Sequence, residues 1–218
     1  AGDPFYIDPT VLKAVGTAFT TGQRVDLGTW RPETAVNLFA NTTINALVLE
    51  VPDGELDWRL PPDKRIHVWG TSMLATDAGG WHPINRAGHP MIQPIFHAAD
   101  DHAASHYNTT VPADDRANYG AVFAQQVAAV VAAHGTVVDA TAYGAVVVAR
   151  LLPDMLPYQV GSPASYSFAG QNGRTLTDNT PDILFSLVTN SAFNGGLSPK
   201  SVTSSLPDAF PYVAPAEA

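Results

Sequence analysis

Between Tyr119 and Val131 the apolar residues Tyr119, Val122, Phe123, Val127, Val130 and Val131 recur with a period near 3.6. A stripe of that width specifies a helix with one face in a core, so other elements must cover it. Asp114-Asp115 can cap and charge its N-terminus, and Gly135 follows its end, so the helix is expected to run through about Ala133. A second helix is predicted over Asp139–Leu152, with Tyr143, Val147, Val148 and Leu151 inward and Pro153 as its stop. Thr180-Pro181 opens a third, through about Thr189, burying Ile183, Leu184, Leu187 and Val188. Asp8-Pro9 opens another over about 9–20, with Leu12, Val15 and Phe19 on one face and Gly22 after it.

The intervening stretch reads differently. Ile44–Val51 is short, rich in β-branched residues and closed by Pro52-Asp53-Gly54, which predicts a strand. Arg65–Met73, Trp81–Asn85 and Met91–Phe96 are three more, the last two joined by the turn-like Arg86-Ala87-Gly88-His89-Pro90. Strands so near in sequence are expected to pair antiparallel. Residues 23–43, 52–64 and 157–176 read as irregular, the last with a short strand, and Gly195–Ala218 as a tail draped over the surface. The expectation is one α+β domain over residues 1–218: an antiparallel β-sheet packed by three to four α-helices, with long irregular loops.

Composition excludes several functions. The 218 residues include 11 Lys plus Arg against 20 Asp plus Glu, a formal net charge of −9, which opposes nucleic-acid binding. Only 14% of residues are charged, yet 45% are apolar, so the chain has the means to build a core. A chain of this size buries roughly 70% of its unfolded surface and needs no staple. There are no cysteines, which removes disulfides and thiolate chemistry. No apolar run reaches the roughly 20 residues of a membrane span. The opening Ala1-Gly2-Asp3-Pro4-Phe5 lacks a methionine and reads as a processed end.

Five of seven histidines fall between residues 82 and 106. His102 and His106 are four apart, the spacing of two-histidine metal sites on a helix, with His97 and Asp101 as further ligands. Imidazole with carboxylate suits a divalent transition metal. The alternative is a polar, alanine-rich surface segment. Asp114 and Asp115 are candidate paired carboxylates for acid–base catalysis, but helix capping accounts for them with no further assumption and is the favoured reading. Arg86, Arg174, Asp178 and Asp182 are candidate ligand-binding residues. For the last three, a hard-cation site and a buried Arg–Asp pair orienting a loop are the two readings. Gly170-Gln171-Asn172-Gly173 predicts a tight turn with positive φ. Trp30, Trp58, Trp69 and Trp81 could line a pocket, although tryptophan beside a strand is usually core.

Several phrases together resemble one family. They are Gly2-Asp3-Pro4-Phe5-Tyr6-Ile7-Asp8, Asn45–Pro52, Asn85–Pro90, Pro112-Ala113-Asp114-Asp115-Arg116, Leu152–Leu156, Asn172–Asp178 and Phe210–Pro215. In this order they resemble the C-terminal part of the bacterial family catalogued as domain of unknown function 4331. The resemblance implies an exported protein of unassigned reaction, whose N-terminal portion is absent here. The histidine cluster stands where that family has a different pattern, so a metal there would be special to this chain.

Three functional expectations follow. The first is an exported, non-enzymatic binding or structural protein that recognises a partner chain or a small ligand. Its partners would be its own absent N-terminal segment or further copies of itself. The second is a divalent-metal enzyme for hydrolysis or oxidation, with His97, His102 and His106 as ligands. The third is a metal-free isomerase or cyclase using Asp114 and Asp115.

Overall fold

A computed structural model of the chain describes residues 1–202 and 205–216. Of the tail expected over Gly195–Ala218, positions 203–204 and 217–218 lie outside the described residues. The helices are α1 (Pro9–Thr21), α2 (Asp53–Leu56), α3 (Ile92–Phe96), α4 (Asp101–Thr109), α5 (Asp115–Asn118), α6 (Gly120–His134), α7 (Ala140–Leu151) and α8 (Thr180–Thr189). The strands are β1 (Arg65–Val68), β2 (Gly70–Ala75), β3 (Trp81–Ala87), β4 (Leu156–Gln159), β5 (Ser165–Tyr166) and β6 (Gln171–Asn172). The class is α+β, with the strands antiparallel as expected.

The end signals in the sequence act as their chemistry requires. Asp8 caps α1, its Oδ1 accepting from the amides of Thr10 at 2.8 Å and Val11 at 3.2 Å. Its Oδ2 accepts from the Val36 amide at 2.8 Å, tying the following loop to the same cap. Gly22 ends α1 and Gly135 ends α6 in the left-handed conformation, which costs glycine no Cβ clash. Asp139 caps α7 through the Ala142 amide at 2.9 Å. Helix α6 lies at the centre, touching α1, α7 and α8. Its Phe123, Val127, Val130 and Val131 are buried among Val11, Val15 and Phe19 of α1, Val147 and Leu151 of α7, and Leu184, Phe185 and Val188 of α8.

Helices α6 and α7 approach until a Cβ on Gly144 would stand 2.3 Å from the Ala124 carbonyl oxygen. Gly144→Ala should therefore destabilise the protein by about 2 kcal/mol, since overpacking outweighs the helix propensity that alanine adds. A denaturant midpoint at or above wild type would refute this close crossing.

Five expectations are corrected. The strands form three separate two-stranded pieces, β1–β4, β2–β3 and β5–β6, in place of one sheet. Arg65–Met73 divides at Trp69, because β1 pairs with the distant β4 while β2 folds onto β3. Met91–Phe96 contributes helix α3: Ile92, Ile95 and Phe96 are the buried residues, at helical spacing, and Pro94 opposes a strand. The helix expected from Asp114 is broken at Tyr119 into α5 and α6, and Val122 turns outward. Ile44–Val51 forms no strand: beyond the isolated bridge Gly2↔Thr43 and the reciprocal Ala1–Ile44 hydrogen bonds, its backbone pairs with nothing among the described residues, although Phe210, Pro211 and Val213 border the same cleft and the Tyr212 hydroxyl donates to the Glu50 carboxylate.

Candidate functional site

The stretch Arg86–Pro90 is no surface turn. It dips into the core, with Arg86 and His89 both 3% exposed. Arg86 lies at the end of β3 and pairs with Asp115 at the start of α5. Nη1 donates to Oδ2 at 3.1 Å and Nη2 to Oδ1 at 2.5 Å, a bidentate fork. Two further guanidinium donors are used as well: Nε reaches the Tyr107 carbonyl at 2.7 Å and Nη2 the Thr110 hydroxyl at 3.3 Å. The Arg86 guanidinium also stacks 3.7 Å from the centre of the Tyr107 ring.

The network continues through Asp154. Its Oδ2 accepts from the Tyr107 hydroxyl at 2.6 Å and its Oδ1 from the His89 amide at 2.6 Å. The Asp154 amide in turn donates to Asp115 Oδ2 at 2.8 Å. His89 Nδ1 pairs with the Tyr166 hydroxyl at 3.2 Å. Gly88 makes this approach possible, because a Cβ there would stand 2.2 Å from the Asp154 carbonyl oxygen. Three of the phrases that carry the family resemblance, 85–90, 112–116 and 152–156, thus converge on one buried lock.

The charges are tuned by this enclosure. Burial pulls the Arg86 pKa down, but the hydrogen bonds it donates to Asp115, with Tyr107 and the two aspartates, leave it raised. Burial pushes Asp154 above the usual carboxylate range against the hydrogen bonds it accepts. Burial, with the Asp154 charge second, raises Tyr107 strongly. Burial, with Arg150 and His67 next, lowers His89 to about 4, so its ring is neutral at pH 7. The groups are mutually satisfied, and both ends of the ion pair are sealed from solvent. Such an arrangement can hold three segments in register, and each oxygen of the two carboxylates already accepts a hydrogen bond.

The other candidates separate. Asp114, the second of the paired carboxylates, is exposed while Asp115 is buried, so the two do not act together. Of the proposed metal ligands, His102 and His106 do share α4 and its four-residue spacing. His106 Nδ1 pairs with the Tyr119 hydroxyl at 2.9 Å, whereas His102 and Asp101 face solvent. His97 caps α3 and turns inward, its ring 5.1 Å from Tyr107 and 5.3 Å from Phe123. Two helices therefore carry these side chains to different places. Among the described residues no three His, Asp or Glu groups are placed to hold a metal ion.

Arg174, Asp178 and Asp182 stand near one another without an ion pair. Among the described residues the salt bridges are Lys64–Asp57 and Arg86–Asp115, so the buried Arg–Asp pair expected at Arg174 forms elsewhere. Asp178 Oδ2 accepts from the amides of Tyr166 at 3.0 Å and Thr175 at 2.8 Å. Asp182 accepts from the Gly195 amide at 3.0 Å and the Asn179 side chain at 2.9 Å. Both carboxylates organise loops. Of 170–173, only Gly173 takes a positive φ, 67°, while Gln171 and Asn172 form β6 in place of the expected turn.

The larger surprise is what stays outside. Trp58, Trp69 and Trp81 are exposed, contrary to a core role. Leu47 is 105% exposed and Leu49 86%. All six residues of β2 are exposed, and the hairpin carries Met73, Leu74, Trp81 and Ile84 into solvent. None of the backbone N–H or C=O groups of 45–51 has a hydrogen-bond partner among the described residues. The cleft between α1 and α3 is lined by Leu12, Lys13, Gly16, Thr17, Pro94 and Ala98, and offers no pair of titratable groups. Among the described residues no helix is long and apolar enough to cross a membrane.

No family model, curated protein or solved structure matches the chain.

Proposed function

We propose that this is a non-enzymatic binding or structural protein whose recognition surface is the apolar segment 44–51 together with the β2–β3 hairpin, and whose partner is a polypeptide chain. One observation carries the reading: in Ile44–Val51, a segment whose sequence predicts a strand, the backbone from Asn45 onward is unpaired among the described residues and Leu47 and Leu49 are exposed. A monomer has no reason to keep such a segment in water. A patch of this kind, with open backbone groups beside it, is what strand addition by another chain requires. The polar network supports the same reading, since it is closed and serves to hold the scaffold. Export is part of this proposal and rests on the family resemblance.

Native mass spectrometry of the protein purified from its own source tests the reading. The expected mass exceeds 23.0 kDa by a polypeptide. A mass of 23.0 kDa alone, or one raised only by a metal or small cofactor, would overturn it.

A further inference from the structure

We infer that His134, the last residue of α6, is a pH-sensitive clasp on the loop that follows α1: its neutral ring holds residues 24–35 against the body, and protonation of the ring releases them. This goes beyond the reading of 44–51 as a recognition surface and does not depend on it.

The clasp stands where α6, the loop and the end of α8 meet. The Val25 amide donates to His134 Nε2 at 3.1 Å, across 109 positions of sequence. A ring nitrogen that accepts carries no proton, so the proton of the neutral ring sits on Nδ1, which faces the Ser191 hydroxyl at 3.5 Å. The other backbone hydrogen bonds of the loop stay inside it. The Gly28 amide donates to Asp26 Oδ1 at 2.8 Å, the Trp30 amide to the Leu27 carbonyl at 3.0 Å and the Thr34 amide to the Arg31 carbonyl at 3.0 Å. Among the described residues the Val25 amide is therefore the one backbone group of 24–35 bonded to another element. The rest of the hold is apolar, since Val25, Leu27 and Trp30 are partly buried against the core.

Protonation inverts the contact. An imidazolium donates from both nitrogens, so N–H would face N–H and the Val25 amide would lose its acceptor. The charged ring has an alternative place, because the C-terminal end of a helix favours a cation and a serine hydroxyl accepts as well as donates. The charged groups on the elements packed about it are Arg24 and Asp26 of the loop and Asp139 before α7. Asp26 and Asp139 are engaged on the amides of Gly28 and Ala142. Burial first, and then the Arg24 charge, hold His134 below its ordinary value of 6.5. A released ring titrates near about 6.5, so the open loop binds the proton more readily than the closed one. The clasp is complete above that pH and weakens as the pH falls below it. Release stops at Val36, whose amide donates to Asp8 Oδ2 at 2.8 Å. Against the cost of burial, the amides of Val36, Val11 and Thr10 hold Asp8 below the usual carboxylate range, so that anchor stays charged.

Hydrogen exchange of the Val25 amide, read by NMR at pH 7.5 and 5.0 and corrected for the intrinsic rate, tests the clasp. Protection should fall by at least about threefold, under a ceiling of about thirtyfold set by one extra proton over that window. The Val25 amide shift should move with the titration of the His134 ring. His134→Gln supplies a side chain that does not titrate, so the pH dependence at Val25 should vanish, whatever protection the variant keeps at pH 7.5. A general weakening of the fold by acid would act on both proteins alike. Equal Val25 protection at the two pH values in wild type, or the same fall in His134→Gln, would overturn the clasp.

Discussion

Asp115→Ala should lower the folding free energy by about 3–5 kcal/mol, and Arg86→Ala by a similar amount. The cause is the charge left behind. With both side chains at 1% exposure or less, removing either partner strands the other in a medium that cannot solvate it. Asp115→Ala also strips the Asp154 amide of its acceptor, and Arg86→Ala removes one donor from the Tyr107 carbonyl, leaving it to Thr110. Against a typical total of about 5–15 kcal/mol, such a loss unfolds a large share of the molecules. Replacing both at once, as Arg86→Met/Asp115→Leu, should cost much less than the sum, because no unpaired charge remains. Urea denaturation of wild type, Arg86→Met, Asp115→Leu and the double variant closes the cycle. Single variants within about 1 kcal/mol of wild type would show that the pair is not the lock described here.

Acid should weaken the fold well above the carboxylate range. His89 is lowered to about 4 by burial, with Arg150 and His67 adding to the effect. His97 is lowered by burial first, with Asp100 pulling it up and Arg86 down, and His134 by burial and then Arg24. In the unfolded chain each titrates near about 6.5. Below that pH the unfolded state binds more protons than the folded one, so these histidines' contribution is complete above about 6.5. It drains away as pH falls, ending near 4 for His89. His89 alone amounts to about 3 kcal/mol across that window, or roughly 6–12 °C in Tm. Asp154 and Asp182 are shifted the opposite way by burial, and they offset part of the loss at the acid end. Thermal melts from pH 7.5 to 4.5 should fall steadily, and His89→Gln should flatten the slope even as it lowers the plateau. A wild-type Tm at pH 5 equal to that at pH 7 would contradict the assignment.

Helices α1, α7 and α8 were legible because their signals are local. Asp8-Pro9, Asp139 and Asn179-Thr180-Pro181 cap or open them, and apolar residues repeat on one face. Ile92, Ile95 and Phe96 carried the same helical spacing, with Pro94 between them, and the short length of the segment concealed it. The candidate site was legible only as separate pieces. Arg86 and Asp115 both stood out as chemically capable residues. Their union was not visible, because 29 positions separate them and nothing local encodes the meeting. Asp154, Tyr107 and Tyr166 gave no signal of a shared network, since each fits its own segment equally well without one.

What the sequence by itself determined is therefore the long helices α1, α6, α7 and α8 with most of their ends and buried faces, and the exclusion of cysteine chemistry. These follow from backbone geometry and side-chain periodicity within a few turns. Only the tertiary structure decided which charges were sealed and which strands found partners. It carried Arg86, Asp115 and Asp154 into one network, parted His97 from His102, and left the backbone of 45–51 unpaired among the described residues with Leu47 and Leu49 in solvent. The physical reason is that a strand's edge and a buried charge are satisfied only by groups distant along the chain, so their fate depends on what the fold brings beside them.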